Sequence, residues 1–291
     1  MKEIVIISGK GGTGKTSITA SFAYLSGEYT VLADCDVDAS DLHLLLKPET
    51  ISEEDFLSSY LAVIDYNKCR DCGKCFEVCR FKAVSFEKKK FVINSQNCEG
   101  CGYCSNVCPA KAISLKIQND GKLYISKTRL NKTFFHAELG PGSENSGKLV
   151  AKVKNNAKKY ARENNMDTVL VDGSPGIGCP VISSLSGANY VVLVTEPTVS
   201  GSHDLKRVTE LVQKFKIKMG CIINKADINS ALAEEIKTYL KDQNIELLAE
   251  LPYDDDFTEA MIAEKTVAEV SSEMCGKLSQ AWNNIINSIR G

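Results

Sequence analysis

A glycine-rich loop with a lysine near each end, residues 9–16 (Gly-Lys-Gly-Gly-Thr-Gly-Lys-Thr), constrains this chain more than any other feature. An apolar run at residues 4–7 precedes the loop, and a helix-like stretch at residues 16–25 follows it. The loop therefore fits the phosphate-binding pattern G-x-x-x-x-G-K-[ST] in its strand–loop–helix context. Glycines let backbone N–H groups turn towards phosphate oxygens, and the helix N-terminus adds a favourable dipole. The sequence predicts a nucleotide site at the start of an α/β fold.

Within this loop, we expect Lys15 to reach the β- and γ-phosphates and the Thr16 hydroxyl to bind Mg²⁺. The other predicted nucleotide contacts are Gly11, Gly12, Thr13, Gly14 and Ser17. Lys10 is an additional lysine, and a solvated loop lysine is its ordinary interpretation.

The pattern K-G-G-x-G-K-T, however, resembles the deviant Walker A loop of the MinD/Mrp group of P-loop ATPases. In that group the first lysine reaches the nucleotide bound by the facing subunit of a dimer. The resemblance implies that Lys10 acts in trans, that the chain hydrolyses ATP, and that it forms a homodimer or a heterodimer with a family member.

Two acidic segments follow strand-like runs and complete the resemblance. Residues 30–33 predict the second strand, and in the D-x-D segment after it Asp36 corresponds to the family's water-positioning carboxylate. A group of helix N-caps at residues 38–41 is the alternative interpretation. Residues 168–171 predict another strand ending at Asp172, where a Walker B carboxylate would contact Mg²⁺ through water; a plain strand-end acid is the alternative. Gly176 follows and is expected to offer its N–H to the γ-phosphate.

A third motif concerns the base of the nucleotide. Residues 224–227 read Asn-Lys-Ala-Asp after a buried strand and match the N-K-x-D motif of GTPases, which raises GTP as an alternative. In MinD-like ATPases the asparagine alone is retained for adenine, and the segment around Pro252 lines the base. The overall resemblance favours ATP, with Asn224 and Pro252 at the base.

Eight of the twelve cysteines lie between residues 69 and 108 in two copies of C-x₂-C-x₂-C-x₃-C, spaced 29 residues apart. This duplication is the pattern of a bacterial two-[4Fe–4S] ferredoxin, in which the fourth cysteine of each copy binds the other cluster. One predicted cluster takes Cys69, Cys72, Cys75 and Cys108, and the other takes Cys98, Cys101, Cys104 and Cys79. Structural zinc sites use paired ligands, and disulfides need an oxidising compartment, so both alternatives are weaker. Arg80 stands where the ferredoxin pattern usually has proline.

The remaining cysteines leave one alternative open. Cys179 lies in the segment after Asp172, where a cluster shared across a dimer interface is one interpretation. Free cysteines are commonly buried hydrophobic residues, and this interpretation is favoured for Cys35, Cys179, Cys221 and Cys275.

The chain outside the cysteine block alternates strands and helices, which predicts a doubly wound, mostly parallel α/β sheet. The predicted domains are a P-loop ATPase domain at 1–59 and 118–291, and an inserted small α+β ferredoxin-like domain at 60–117. The insert holds ten Lys/Arg and five Asp/Glu, whereas the whole chain has a net charge of −2. The net charge of −2 gives no reason to expect a nucleic-acid partner.

No apolar run approaches the roughly 20 residues of a membrane span, and no signal peptide is apparent, so we expect a cytoplasmic protein. An apolar stripe at residues 270–289 contains few basic residues, which predicts a helix packed on the sheet rather than a membrane anchor. The sequence thus favours an ATP-gated electron carrier with a redox or metallocluster protein as partner. An ATP-dependent factor for assembly or delivery of iron–sulphur or mixed-metal clusters, and a positioning ATPase with structural clusters, are the alternatives.

Overall fold

The computed structural model describes residues 1–140 and 146–290, which form two compact units. The first unit contains Met1–Glu54, Leu123–Glu138 and the described residues from Ser146 onward. The second contains Asp55–Lys122 together with Leu139 and Gly140. It extends beyond residues 60–117 at both ends, because one long strand continues across residue 60 and another across residue 117.

The strands are β1 (Lys2–Ser8), β2 (Thr30–Asp34), β3 (Glu49–Ile64), β4 (Val84–Glu87), β5 (Lys90–Ile93), β6 (Ile113–Lys127), β7 (Thr133–Leu139), β8 (Thr168–Asp172), β9 (Tyr190–Thr195), β10 (Lys218–Ile223) and β11 (Glu246–Glu250). The helices are α1 (Lys15–Leu25), α2 (Leu42–Leu46), α3 (Lys74–Glu77), α4 (Tyr103–Asn106), α5 (Ser146–Glu163), α6 (Cys179–Leu185), α7 (Val199–Lys214), α8 (Ser230–Asp242), α9 (Asp256–Ile262), α10 (Val267–Val270) and α11 (Ser272–Arg290).

Nine of the described strands form one sheet in the order β11-β10-β9-β1-β8-β2-β7-β6-β3. Each neighbouring pair from β11 to β7 is parallel. Every residue of β2, β8 and β9 is buried, as expected for central strands covered on both faces by helices. The prediction of a mostly parallel α/β sheet is confirmed, whereas the sequence pattern does not predict β3 or β7.

The C-terminal helix α11 packs on the core of the first unit. Met274, Leu278 and Ile285 are fully buried, and the Trp282 ring lies 5.3 Å from the Phe22 ring of α1. The prediction that this apolar stripe packs on the fold is therefore confirmed. Among residues 1–140 and 146–290, no helix combines the length and hydropathy needed to span a lipid bilayer.

The second unit contains two similar halves. The short helices α3 and α4 each follow a glycine with positive φ, Gly73 at 76° and Gly102 at 76°. The halves exchange backbone hydrogen bonds: the Asp65 N–H donates to the Ala112 carbonyl and the Asn94 N–H donates to the Ala83 carbonyl, both at 2.7 Å. Residues 65 and 94 occupy the same position in the sequence repeat, as do residues 83 and 112. The internal duplication of the sequence is thus present in the fold.

Candidate functional site

The predicted nucleotide-binding residues lie at one edge of the sheet of the first unit. The loops that follow β1, β2, β8, β9 and β10 all leave the carboxyl ends of parallel strands. The register pairs Asp34 with Asp172 on adjacent strands, which brings the two acidic segments together. In open α/β sheets, ligands bind in the crevice at this edge.

Glycines shape the loop between β1 and α1. Gly12 and Gly14 have φ values of 80° and 87°, a conformation that L-residues with a side chain rarely adopt. A Cβ atom on Gly14 would lie 2.3 Å from the Asn224 amide nitrogen, whereas one on Gly11 or Gly12 would meet no described atom within 4 Å. The buried Thr13 hydroxyl has no hydrogen-bond partner among the described residues. The loop therefore has open space beside Gly11 and Gly12 and an unpaired polar group at Thr13, both of which suit phosphate binding.

Lys15 lies among carboxylates below this loop. Its Nζ atom is 2.9 Å from Asp172 Oδ1 and 3.4 Å from Asp36 Oδ2, and its side chain is 6% exposed. Burial alone would lower the pKa of Lys15, but Asp172, Asp36 and Asp34 together raise it above its ordinary value. Lys15 is therefore charged, and a buried ammonium group of this kind can also pair with an anionic ligand.

The acidic segment after β2 is held by its own hydrogen bonds. The Asp36 N–H donates to Asp34 Oδ1 at 3.0 Å, and the Ser40 hydroxyl donates to Asp34 Oδ2 at 2.6 Å. Burial and the neighbouring Asp172 raise the pKa of Asp34 to about 7, and burial raises the pKa of Asp36. Asp41 is the N-cap of α2 but makes no side-chain capping hydrogen bond. Asp36 thus faces Lys15 in the crevice, while Asp34 shapes the segment.

Asp172 connects β8 to the helix after the loop. It accepts hydrogen bonds from the Thr16 hydroxyl at 2.9 Å and from the Thr19 hydroxyl at 2.8 Å. A hydroxyl and a carboxylate in contact form the oxygen donor pair that Mg²⁺ favours in P-loop proteins. The Gly176 N–H donates to the Ser8 carbonyl at 2.8 Å, so a bond to a γ-phosphate requires this contact to open.

A network that the sequence analysis does not predict surrounds Glu196, the residue after β9. Its carboxylate lies 2.6 Å from Lys10 Nζ and 3.0 Å from Lys225 Nζ. Burial alone would raise the pKa of Glu196, but the hydrogen bonds from the two lysines lower it below its ordinary value. The sequence signal that could have identified Glu196 is an acidic residue directly after a predicted strand, as at Asp172.

The N-K-x-D motif after β10 donates hydrogen bonds to the backbone of the phosphate-binding loop. The Asn224 amide donates to the Thr13 carbonyl at 2.9 Å, and Lys225 Nζ donates to the Gly12 carbonyl at 3.0 Å. Asp227 Oδ1 accepts the Tyr253 N–H at 2.6 Å, which ties this segment to the loop after β11 that contains Pro252. Asn224 and Pro252 therefore lie on segments that meet at this edge, and their contact with a base stays a prediction.

The eight predicted cluster ligands of the second unit line two separate cavities. Cys79, Cys98, Cys101 and Cys104 line a cavity of about 330 Å³, and Cys69, Cys72, Cys75 and Cys108 line a smaller one of about 20 Å³. Each set combines three cysteines of one half with the fourth of the other half. This grouping matches the predicted exchange of the fourth ligand.

Backbone donors point at the two exchanged cysteines. The Ala83 N–H donates to Cys79 Sγ and the Ala112 N–H donates to Cys108 Sγ, both at 3.3 Å. Across residues 1–140 and 146–290, no three or more His, Cys, Asp or Glu side chains lie close enough together to hold a single metal ion. The thiolates of a cubane cluster bind four different iron atoms and lie farther apart than the ligands of one ion. Each cavity is lined by four cysteine sulfurs, which is the number of protein ligands that a cubane cluster takes.

The other four cysteines differ in exposure. Cys35 and Cys221 are fully buried, and burial raises the pKa of both thiols far above the ordinary range. Cys275 is half-buried in α11. Cys179 is exposed at the first position of α6, so the interpretation of this residue as a buried hydrophobe is wrong.

Comparison with known proteins agrees with this geometry. Residues 4–267 match the family described as the CobQ/CobB/MinD/ParA nucleotide binding domain. An uncharacterized protein of Methanocaldococcus jannaschii is 39% identical over 232 residues, which cover 78% of this chain and 79% of that protein.

Two solved structures show the same fold. MinD of Aquifex aeolicus superposes with a TM-score of 0.58 at 17% identity, covering 99% of this chain and 98% of that one. MinD from Pyrococcus horikoshii, solved with Mg-ADP, gives a TM-score of 0.56 at 17% identity and covers 96% and 94%. The fold and the phosphate-binding loop define a P-loop nucleotide-binding protein. This chain belongs to the CobQ/CobB/MinD/ParA nucleotide-binding family, with the fold of MinD.

Proposed function

We propose that this protein binds and hydrolyses ATP with Mg²⁺ and couples nucleotide-driven switching of a dimer to electron transfer through two [4Fe–4S] clusters. The observation that carries the proposal is the grouping of eight cysteines into two cavities, in a chain that also has a complete set of P-loop residues. A redox or metallocluster protein is the partner that such a carrier needs.

In the nucleotide site, each side chain has a role that follows from its present contacts. Lys15 exchanges its carboxylate partners for the β- and γ-phosphates, which frees Asp172 and Thr16 for Mg²⁺. Asp36, released from Lys15, orients the attacking water. Nucleotide binding thus replaces the ion pairs of Lys15 with carboxylates by ion pairs with phosphates.

The hydrogen bonding of the N-K-x-D motif favours adenine over guanine as the base. In GTP-binding proteins the acid of this motif reads the base, whereas Asp227 here accepts the backbone N–H of Tyr253. Asn224 and the segment containing Pro252 are left to contact the base. The MinD structure from Pyrococcus horikoshii contains Mg-ADP, which supports the same choice of nucleotide.

Dimer formation gives Lys10 its proposed role. As the first lysine of the deviant Walker A loop, it reaches the nucleotide of the facing protomer and stabilises charge on the transferring phosphoryl group. Within one protomer it is paired with Glu196. Dimerisation therefore requires Lys10 to leave this partner.

In the second unit, Cys69, Cys72, Cys75 and Cys108 hold one cluster, and Cys79, Cys98, Cys101 and Cys104 hold the other. When bound, the clusters supply one-electron redox chemistry at low potential. The N–H donors of Ala83 and Ala112 stabilise negative charge on the sulfurs of Cys79 and Cys108. Four cysteines for each cluster leave no iron with an open position, which favours electron transfer over release of a cluster.

An anaerobic redox titration followed by EPR, with and without Mg-ATP, tests the coupling. We expect about eight iron atoms per chain after reconstitution, and a change of spectrum or midpoint potential when Mg-ATP is added. Replacing Lys10 by Ala should abolish ATP-dependent dimerisation and leave the iron content unchanged. If nucleotide changes neither spectrum nor potential, the gated carrier is excluded. Iron beyond two clusters that binds only when Cys179 is intact would instead support the assembly function.

A further inference from the structure

The β4–β5 hairpin of the second unit has an exposed aromatic surface. The Phe91 ring lies 4.8 Å from the Phe86 ring, its partner across the hairpin, and 6.1 Å from the Phe76 ring. Phe86 and Phe76 are 57% and 52% exposed. Tyr66, which is also exposed, donates its hydroxyl hydrogen to the Phe91 carbonyl at 3.1 Å. Contiguous exposed aromatic rings of this kind mark interaction sites.

Three consecutive lysines border this aromatic surface. Lys88 and Lys89 form the two-residue loop between paired Glu87 and Lys90, and their φ values are 48° and 65°. Hairpin turns with two positive φ values favour asparagine and glycine, so lysine is an unfavourable choice for the backbone. Lys90 lies over the Tyr66 ring at 5.1 Å. The turn and the first residue of β5 therefore present three exposed ammonium groups, and the two in the turn come at a cost in backbone strain.

The aromatic surface is continuous with the cysteine cavities. Phe91 lines the cavity of Cys69, Cys72, Cys75 and Cys108. Ile93, two residues along the same strand, lines the cavity of the other four cysteines. Alternate residues of a strand lie on one face, so a single face of β5 borders both donor sets. A molecule seated on the hairpin is thus close to both proposed clusters.

We propose that Tyr66, Phe76, Phe86, Phe91 and Lys88–Lys90, here called the hairpin surface, form the docking site for a small acidic electron-transfer protein. The inference rests on the proposed function, because it assumes that the cysteines hold redox clusters. An acidic partner is favoured by charge: residues 60–117 contain ten Lys/Arg and five Asp/Glu, and three of these lysines, Lys88–Lys90, belong to the hairpin surface. Lysines at the border attract an acidic protein over a distance, and the rings provide the contact close to the cysteines.

Stopped-flow reduction of the reconstituted full-length protein tests this docking site, with photoreduced acidic flavodoxin as the probe. We expect the triple variant K88E/K89E/K90E to lower the second-order rate constant about tenfold at about 10 mM ionic strength, and the rates to converge near 500 mM. F86S should lower the rate at every ionic strength, because it removes contact area rather than charge.

A matched control separates local charge from net charge. The variant K214E/K216E/K241E makes the same charge change on exposed lysines of the first unit and should leave the rate within about twofold of wild type. Equal slowing by both triple variants, or an unchanged rate in K88E/K89E/K90E, would overturn the docking site.

Two further measurements separate this inference from the proposed function. Iron content and reduction by dithionite should be unchanged in all three variants, because dithionite needs no docking surface. Failure of the wild type to bind iron or accept an electron from dithionite would refute the proposed function itself. If K88E/K89E/K90E reacts normally with flavodoxin but loses salt-sensitive binding to a duplex RNA probe, the hairpin surface binds nucleic acid and the redox docking site is wrong.

Discussion

Lys10 and Glu196 form an ion pair with a distance of 2.6 Å between the ammonium nitrogen and Oε1. The same ammonium group donates to the hydroxyls of Ser200 at 3.0 Å and Thr198 at 3.3 Å. These contacts hold within one protomer the lysine that we propose reaches across a dimer. We therefore expect Glu196 to oppose dimerisation by stabilising the isolated protomer.

The first prediction concerns Glu196. Replacing Glu196 by Gln keeps the size of the side chain and removes the charge that attracts Lys10. Since Lys10 is partly exposed, the ion pair contributes about 1 kcal/mol, and its loss should tighten ATP-dependent dimerisation roughly fivefold. Analytical ultracentrifugation with a non-hydrolysable ATP analogue measures the dimer dissociation constant. Ser200→Ala removes an uncharged acceptor of the same Lys10 ammonium group and serves as the control. An equal or larger effect in this variant would contradict the role of Glu196.

The second prediction concerns Lys15, the cation among Asp34, Asp36 and Asp172. In the nucleotide-free protein, Lys15→Ala leaves buried carboxylates without a cationic partner and should reduce the free energy of unfolding by about 3 kcal/mol at pH 8. The loss should be smaller at pH 6. The pKa of Asp34 is raised to about 7 in the folded state, so protonation below this pH removes part of the repulsion.

Urea unfolding measures this difference, followed by the fluorescence of Trp282, the single tryptophan of the chain. Lys10→Ala is the matched control, because it removes the other lysine of the loop but leaves no carboxylate cluster uncompensated. A Lys15→Ala variant whose stability relative to wild type is the same at both pH values would contradict the electrostatic explanation.

The third prediction concerns Asp36. Asp36→Asn should lower the rate of ATP hydrolysis about 100-fold while nucleotide affinity changes little, because Lys15 and Thr16, the proposed contacts to phosphate and Mg²⁺, remain. Phosphate release measures the rate, and a fluorescent ATP analogue measures the affinity. Asp38→Asn removes a nearby acid and should hydrolyse ATP at the wild-type rate; equal losses in the two variants would argue for a role of both in the local fold.

The fourth prediction tests the exchange of cysteines between the two halves. Cys79→Ala should remove the cluster of Cys98, Cys101 and Cys104 and leave the other cluster intact, since Cys79 lines that cavity. Adding Cys98→Ala should cause no further loss of iron, whereas adding Cys69→Ala should remove the second cluster. Iron analysis and EPR of the reduced protein distinguish these outcomes. The reverse pattern would mean that each half binds a cluster with its own four cysteines.

The fifth prediction concerns an ion pair far from the nucleotide. Arg129 donates to both carboxylate oxygens of Glu269, at 2.8 and 2.6 Å. Burial alone would raise the pKa of Glu269, but the Arg129 hydrogen bonds and the Thr266 N–H lower it to about 2. The pKa in the folded state is depressed, so the contribution to stability is complete above the unfolded value of about 4.3 and is lost as the pH falls towards 2.

Glu269→Gln should therefore reduce the free energy of unfolding by about 1 to 2 kcal/mol at pH 7 and have little effect near pH 2. Thermal unfolding of both proteins across this pH range measures the difference. Glu273→Gln, in an exposed pair with Lys277, should be nearly neutral throughout. A constant difference between Glu269→Gln and wild type at all pH values would contradict the assignment.

The local motifs of this chain were predictable from sequence because each depends on neighbouring residues. The glycine pattern, the strand ending at Asp172 and the cysteine spacing all specify short-range geometry. The strand β3 was not predictable, because most of its first seven residues are exposed and polar and show no alternation of buried positions. The exposure of Cys179 could not be predicted from the sequence either, since it depends on what packs around the start of α6.

The sequence by itself determined the phosphate-binding loop, the α/β class and the duplicated cysteine motif. Only the tertiary structure decided which distant polar groups meet: Lys10 with Glu196, and Asn224 with the loop before α1. The physical reason is that backbone conformation follows from local sterics and periodicity, whereas charge pairing follows from strand order and register. Strand order and register depend in turn on how the whole core packs.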